Sequence, residues 1–347
     1  MHEPAKLLSL LTEKQLIIPP ITLTNDNQSP WFIKVLLAIA GWLAALFCFG
    51  FFAITLLDLV DNNVVRAIIG VITIFGAFFI LKAPQSEFFE HIGLAVSLNG
   101  QALIGWALFD YFASQDTLLW AIVLVLQSAL AWLMPSFLHR LFSTLAAAFA
   151  LSLLLAIFGL SSLFSSILMM GAAWLWLHEF RLKSLSRTRA IAYGITLGLI
   201  AIKASSNTSD LWPELESATI NQWIDEGLNC LILLYISWQL LQRYDIAIPS
   251  AHANLVLVAT LLLGLASLQT PGVAVAMMLI ILGYSSSHTT LMGLGTIAGL
   301  FYLSKYYYSL ELSLNEKALS LALVGVTLIA MSKTLNWWLS RGSSQHE

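Results

Sequence analysis

Residues 65–81 read VRAIIGVITIFGAFFIL and carry one charged side chain, Arg66, near the beginning of the run. The hydrocarbon core of a bilayer is about 30 Å thick, and a helix of about 20 apolar residues crosses it. Similar runs recur along the chain and together predict twelve membrane-spanning helices. The predicted bounds are 33–57, 65–81, 92–112, 117–134, 140–159, 162–178, 189–204, 227–243, 253–269, 271–286, 289–305 and 317–335.

The composition supports the same class of protein. Hydrophobic residues make up 59% of the 347 residues and charged residues only 10%, and the mean hydropathy is +0.83. A soluble domain carries about 25% charged residues. The composition therefore excludes a single soluble domain and a disordered chain. A net charge of −3 gives no basic surface for nucleic acid, so no nucleic-acid partner is expected.

The predicted fold class is all-α, a polytopic transmembrane helix bundle of about twelve spans, with a range of about ten to thirteen. All nine prolines fall in tails, in connections or at the first residue of a span, which favours helices because proline inside a helix removes a hydrogen bond. An even number of spans places both termini on one side, and the positive-inside rule assigns that side to the cytoplasm. Of the 16 lysines and arginines, only four then lie outside: Arg66, Lys203, Lys305 and Lys317.

The predicted layout has a cytoplasmic N-terminal tail with a short amphipathic helix (1–32), the bundle (33–335) and a cytoplasmic C-terminal tail (336–347). A basic cytoplasmic loop is expected at 179–188 and an acidic periplasmic loop at 205–226. No connection is long enough for an independent soluble domain. Function is therefore expected within the bundle or at its rims, in a bacterial inner membrane.

The third predicted span carries the most polar face. Ser97 and Gln101 are four residues apart and share one side of the helix, with Asn99 nearby. One hypothesis is a polar lining for a substrate route, formed by Ser97, Asn99, Gln101 and, from the fourth span, Gln127. The alternative is packing, in which amides form hydrogen bonds across the helix interface.

Small residues offer further signals. The pairs Gly194/Gly198 and Gly295/Gly299 predict close helix packing. Pro271-Gly272, between two short spans, resembles the interrupted helices of transporters, although a tight turn between helices explains it as well.

No charged side chain is expected at mid-membrane depth, because Lys203 and Lys305 are close enough to the outer rim to reach the interface. Charges at that depth mark proton-coupled transporters, so their expected absence weighs against one. Five histidines are expected at the cytoplasmic rim: His91, His139, His178, His252 and His288. They lack metal-ligand spacing, and no catalytic, cofactor-binding or metal residues and no cofactor are predicted.

The C-terminal third resembles a known family. Residues 293–329 contain Tyr306-Tyr307-Tyr308, a short polar turn, Lys317 and then Gly325 in the last span. This arrangement is similar to the bacterial membrane-protein family called domain of unknown function 4401, although Ala318 stands where a serine is expected. The resemblance implies a multi-pass inner-membrane protein and adds no reaction and no catalytic residues.

Three functions remain open. The first is a non-enzymatic membrane component or subunit of an envelope complex, with the lipid bilayer and a membrane or periplasmic protein as partners. It rests on the expected lack of buried charges and on the short loops. The second is a carrier for a neutral or lipidic solute, and the third is an intramembrane transferase. No acid, base and nucleophile occur at compatible spacing for the third.

Overall fold

The computed structural model describes residues 62–82, 87–113, 115–179, 184–205, 222–247 and 250–310, with isolated positions between 36 and 50 and at 315 and 333. Within these ranges the regular elements are α-helices, and no strand occurs there. Both tails and most of the predicted first and last spans, 33–57 and 317–335, lie outside the described residues.

Ten helices have defined bounds in the described part of the chain. In chain order they are α1 Asn63–Lys82, α2 Glu87–Tyr111, α3 Asp116–Leu133, α4 Phe137–Ile157, α5 Ser161–Leu177, α6 Leu185–Ser205, α7 Gln222–Arg243, α8 Ala251–Ser267, α9 Val273–Ser285 and α10 Thr289–Ser309. Each overlaps one of the ten inner predicted spans. The all-α class is therefore confirmed.

The predicted bounds differ most where a helix begins with polar residues. α6 begins at Leu185 rather than at 189, and α7 begins at Gln222 rather than at 227. Sequence bounds enclose only the apolar residues, whereas helical hydrogen bonding continues through a polar first turn. Residues 222–226, predicted as the end of the acidic loop, and residues 185–188, predicted as loop, are helical instead.

Four helices of the described residues are long and apolar enough to span a membrane. They are Asn63–Lys82, Phe88–Tyr111, Asp116–Leu133 and Phe137–Ile157, and they indicate an integral membrane protein. The helices α5, α8 and α9 are apolar but shorter. With 13 residues at about 1.5 Å each, α9 is about 20 Å long, less than the thickness of the hydrocarbon core.

Two helices begin at a Pro-Ser pair. Ser136, after Pro135, accepts a hydrogen bond from the backbone N–H of His139, and Ser250, after Pro249, accepts one from Ala253. Serine at this position satisfies a backbone donor that has no partner within the helix. The serine cap therefore marks where each of these two helices begins.

The largest apolar core lies between α5, α6, α7 and α9. Its fully buried side chains include Trp176, Leu199, Leu233 and Met278. α4 packs against α6, where a Cβ on Gly194 would lie 2.6 Å from Cβ of Thr144. The second predicted pair also lies at a helix contact, because Gly295 and Gly299 of α10 face α9. Both Gly-x-x-x-Gly pairs therefore pack helices together, as predicted.

Candidate functional site: a buried charged cluster

One ammonium group and two carboxylates meet where α6 ends and α7 begins. Lys203 Nζ donates to Asp225 Oδ2 and to Glu226 Oε1, each at 2.5 Å. The side chains are 3%, 10% and 0% exposed, respectively. We call these three residues the charged cluster. With all three ionised, the cluster carries a net charge of −1 in a buried position.

Glu226 connects the cluster to α9. Its Oε1 also accepts a hydrogen bond of 3.1 Å from the backbone N–H of Gly272, the residue that precedes the first turn of α9. The other oxygen, Oε2, is buried and has no hydrogen-bond partner among the described residues. The carboxylate therefore lies at the positive end of a helix dipole with one oxygen unsatisfied.

Polar side chains of α5 and α7 surround the other carboxylate. Ser165 Oγ donates a short hydrogen bond to Asp225 Oδ1 and accepts one of 2.9 Å from Asn229 Nδ2. Ser166 Oγ donates to Asn229 Oδ1 at 3.2 Å. Buried charge is tolerated only where hydrogen bonds replace its hydration. Ser165 supplies such a bond to Asp225, and Asn229 and Ser166 extend the network behind it.

Helix α10 closes the same end of the bundle. Tyr302 donates from its hydroxyl to the carbonyl oxygen of Ile200 at 3.1 Å, and Lys305 Nζ donates to the carbonyl of Ala204 at 2.7 Å. The Tyr302 ring lies against Gly272, where an added Cβ would come within 2.9 Å of it. The site thus joins α5, α6, α7, α9 and α10.

The sequence did not predict this site. The expectation that Lys203 reaches the outer interface is wrong, because its side chain is buried and paired inside the bundle. Asp225 and Glu226 fall in the predicted acidic loop but belong to the first turn of α7. Acidic residues favour the first turn of a helix, and this preference was the available signal that α7 begins earlier. The Pro271-Gly272 turn is a tight connection between α8 and α9, and it contacts Glu226.

A second polar site connects α2, α3 and α4 around His139. Ser97 Oγ lies 2.6 Å and Gln101 Nε2 3.1 Å from His139 Nε2. Because an amide nitrogen only donates, Nε2 accepts and Nδ1 carries the proton, with Ser143 Oγ 3.3 Å from Nδ1. Gln127 Nε2 donates to Gln101 Oε1 at 2.9 Å. Ser97, Gln101 and Gln127 are therefore brought together, in a network we call the His139 network.

The remaining predicted site residue is not part of this network. Asn99 lies on α2 with a partly buried side chain, and no hydrogen bond joins it to the other three. His139 was expected at the cytoplasmic rim, and this stays a prediction; its side chain lies in the first turn of α4 and is fully buried. Ser97 and His139 have the contact of a nucleophile and a base, but both are 0% exposed. The arrangement fits a polar contact between helices, in which one atom, Gln127 Oε1, is buried without a hydrogen-bond partner among the described residues.

A second group of charged side chains lies at the opposite end of α6. Glu179 is 1% exposed, and its carboxylate contacts Arg189 Nε through Oε1 and His288 Nε2 at 2.7 Å through Oε2. The His288 ring also contacts Trp176, with ring centroids 5.3 Å apart. From Arg189 to Lys203 along α6 is about 21 Å at 1.5 Å per residue, so charges hold both ends of this helix.

The histidines and acidic side chains of the described residues do not cluster as metal ligands do. Among the described residues, no three histidine, cysteine, aspartate or glutamate side chains form a group that could hold a metal ion. Of the other histidines, His178 stacks on Trp174 with ring centroids 5.4 Å apart, and His252 is exposed.

These features define an all-helical integral membrane protein whose central bundle contains buried, paired charges. The family model described as Domain of unknown function (DUF4401) matches residues 30–341, and the chain belongs to this family. No curated protein and no solved structure matches the chain.

Proposed function

We propose that this protein is a multi-pass carrier of the bacterial inner membrane that moves a neutral or lipidic solute together with protons. In this proposal the described helices other than the four long ones also cross or enter the bilayer, giving about twelve spans with both termini in the cytoplasm. The distribution of lysine and arginine supports this orientation.

The buried charges change the order of the candidate functions. The hypothesis of a non-enzymatic component rests on a lack of buried charges as well as on the short loops, and Lys203, Asp225 and Glu226 remove the first of these grounds. Ionisable residues inside a membrane bundle are costly and commonly belong to ion or proton pathways. The cluster weakens the objection to an ion-coupled carrier, which concerned charged side chains at mid-membrane depth, because it shows that the bundle buries charge where α6 ends and α7 begins.

The observation that carries the proposal is the unsatisfied oxygen of Glu226. The cluster holds one more carboxylate than ammonium groups, and Glu226 Oε2 is buried without a hydrogen-bond partner among the described residues. A buried net charge without a counter-charge is unfavourable by several kcal/mol, roughly. In this proposal Glu226 is the residue at which the proton that accompanies the solute is taken up and released.

The position of the cluster suits a site that couples proton movement to solute movement. Glu226 accepts hydrogen bonds from Lys203 of α6 and from the backbone N–H of Gly272, which immediately precedes α9. Helix α9 has only 13 residues and follows the Pro271-Gly272 turn. In transporter sites the N-termini of interrupted helices point at anionic groups of the substrate, and here the N-terminus of α9 points at the carboxylate of Glu226. A change in the charge of Glu226 alters its attraction to both elements at once.

The test uses the full chain reconstituted into vesicles that contain a pH-sensitive dye. Gradients of neutral sugars, polyols and lysophospholipids are imposed one at a time. We expect at least one solute gradient to change the internal pH, and we expect Glu226→Gln to remove that change. Lys82→Met, which alters an exposed lysine at the end of α1, is the matched control and keeps the response.

Two outcomes contradict the proposal. One is a solute response that persists unchanged in Glu226→Gln. The other is the absence of any response in vesicles whose protein is correctly folded. If no solute gives a response and the protein purifies in mild detergent with a stoichiometric membrane or periplasmic protein, the result favours the non-enzymatic subunit instead.

A further inference from the structure

A lateral groove of about 260 Å³ lies between α3, α4, α5 and α6. Its lining is almost wholly apolar and includes Leu124, Trp132, Thr144, Leu151, Ile191 and Ile195. From Leu124 to Trp132 the groove follows α3 for about 12 Å, at about 1.5 Å per residue. Ser128 and Trp132 are exposed along it, so the groove opens at the side of the bundle.

Two arginines lie at one end of this groove. Arg140 precedes Thr144 by one turn of α4, and Arg187 precedes Ile191 by one turn of α6. The Arg187 guanidinium lies 4.6 Å from the centre of the Trp132 ring, which itself lines the groove. Helices α3, α4 and α6 thus bring two positive charges and a tryptophan to the same end of the apolar groove.

Neither arginine is paired with a carboxylate in the described part of the chain. Arg140 is only 8% exposed, and its Nε has no hydrogen-bond partner there; the Nε of Arg187 is likewise buried and unsatisfied. The two guanidinium groups repel each other. Glu90 accepts a hydrogen bond from Ser136 at 2.8 Å and forms no ion pair with either arginine.

Such an arrangement favours an anion, because positive charge that is buried or partly buried without a carboxylate partner is unfavourable. The positive ends of the α4 and α6 dipoles add to the positive potential, since both arginines lie in the first turn of their helices. Arginine matches the geometry of a phosphate group, and basic pockets between membrane helices bind anionic lipid headgroups. The apolar groove that leads away from the arginines matches an acyl chain.

We propose that this groove binds one anionic phospholipid, with the phosphate on Arg140 and Arg187 and an acyl chain along α3 and α4. The site is separate from the charged cluster and stands whether or not the protein carries a solute. Trp132 covers the boundary between headgroup and chain.

Native mass spectrometry of the delipidated full chain tests the proposal. Phosphatidylglycerol and phosphatidylcholine are compared as ligands, with inorganic phosphate and glycerol phosphate as soluble competitors. We expect phosphatidylglycerol to bind at least about tenfold more tightly than phosphatidylcholine, and the soluble phosphates to compete poorly. One basic side chain contributes roughly a fivefold change in affinity, so R140Q/R187Q weakens phosphatidylglycerol binding about thirtyfold.

The controls separate the two parts of the site. Arg243→Gln, at the exposed end of α7, leaves affinity within about twofold. Ala147→Phe places a ring in the groove and reduces lipid binding without removing a charge. Equal affinity for the two lipids, undiminished binding by R140Q/R187Q, or competition by glycerol phosphate as strong as that by the lipid overturns the proposal. Because the lipid comparison uses the unmodified chain, it decides the question even if a variant does not fold.

Discussion

The backbone N–H of Gly272 donates a hydrogen bond to Glu226 Oε1, so a side chain of α7 occupies the position of an N-cap for α9. Gly272 has no side chain of its own to fill this role and adopts φ = 93°, a conformation that favours glycine. The same carboxylate accepts from Lys203 at 2.5 Å. Glu226 therefore serves both the electrostatics of the cluster and the start of a short helix.

These two contributions can be separated with two substitutions of Glu226. Glu226→Gln keeps an oxygen that accepts from Gly272, whereas Glu226→Ala removes it and leaves a cavity in a fully buried position. We expect Glu226→Ala to lower the free energy of unfolding by about 1 kcal/mol or more relative to Glu226→Gln, since loss of a cap alone costs about that much. Thermal denaturation in detergent measures the difference. Equal stability of the two variants would show that the contact with Gly272 does not stabilise α9.

Lys203 is the subject of a second prediction. Lys203→Met removes the ammonium group and leaves Asp225 and Glu226 buried side by side. Removing one partner of a buried ion pair typically costs about 3–5 kcal/mol. We expect a loss near the lower end of this range, because Asp225 keeps the hydrogen bond from Ser165. The melting temperature of the purified protein is the measurement.

A triple variant provides the control for this prediction. Lys203→Met combined with Asp225→Asn and Glu226→Gln removes all three charges while it keeps similar side-chain volumes. It is expected to be more stable than Lys203→Met alone, because no uncompensated charge remains. If Lys203→Met is as stable as the unmodified chain, the ammonium group of Lys203 does not compensate buried carboxylates in the purified protein.

The spans and the charged cluster differ in how far the sequence predicts them. Long apolar runs such as 65–81 need no tertiary information, because a helix satisfies its own backbone and its length follows from the number of residues. The cluster depends on contacts between α6 and α7 that hydropathy does not describe. The position of Lys203 in the sequence fixes its distance from the predicted rim. It does not show whether the side chain extends to water or turns inward to Asp225 and Glu226, as it does in the structure.

The His139 network gives the complementary case. The spacing of Ser97 and Gln101 places both on one face of α2, and the sequence analysis also named Gln127 as a partner. His139 was assigned to the rim because it lies near the beginning of α4. Its burial follows from the packing of α2 against α4, where three polar side chains replace water around the imidazole.

A third prediction concerns the contact of α4 with α6. A Cβ on Gly194 would lie 2.6 Å from Thr144 Cβ and 2.8 Å from the carbonyl oxygen of Leu141. Backbone atoms of a packed helix cannot move aside cheaply, so Gly194→Ala is expected to lower the free energy of unfolding by about 1–3 kcal/mol.

Gly171→Ala in α5 is the matched control, because nothing lies within 4 Å of its added Cβ. The control should be neutral or stabilising by up to about 1 kcal/mol, since alanine is the better helix former. A Gly194→Ala variant as stable as Gly171→Ala would contradict close packing at this contact.

The last prediction distinguishes packing from a substrate lining in the His139 network. Gln101→Leu leaves the Gln127 amide without its acceptor and removes one donor to His139 Nε2, so we expect a loss of about 1–3 kcal/mol in the free energy of unfolding. Gln101→Leu combined with Gln127→Leu removes both amides and should recover part of that loss. Asn99→Leu, two residues away and outside the network, is expected to change stability by less than about 1 kcal/mol.

The same three variants are then compared in the vesicle assay. If Gln101→Leu lowers the melting temperature without changing solute flux per folded molecule, the network holds α2, α3 and α4 together and does not line a route. A change in flux with unchanged stability assigns the opposite role.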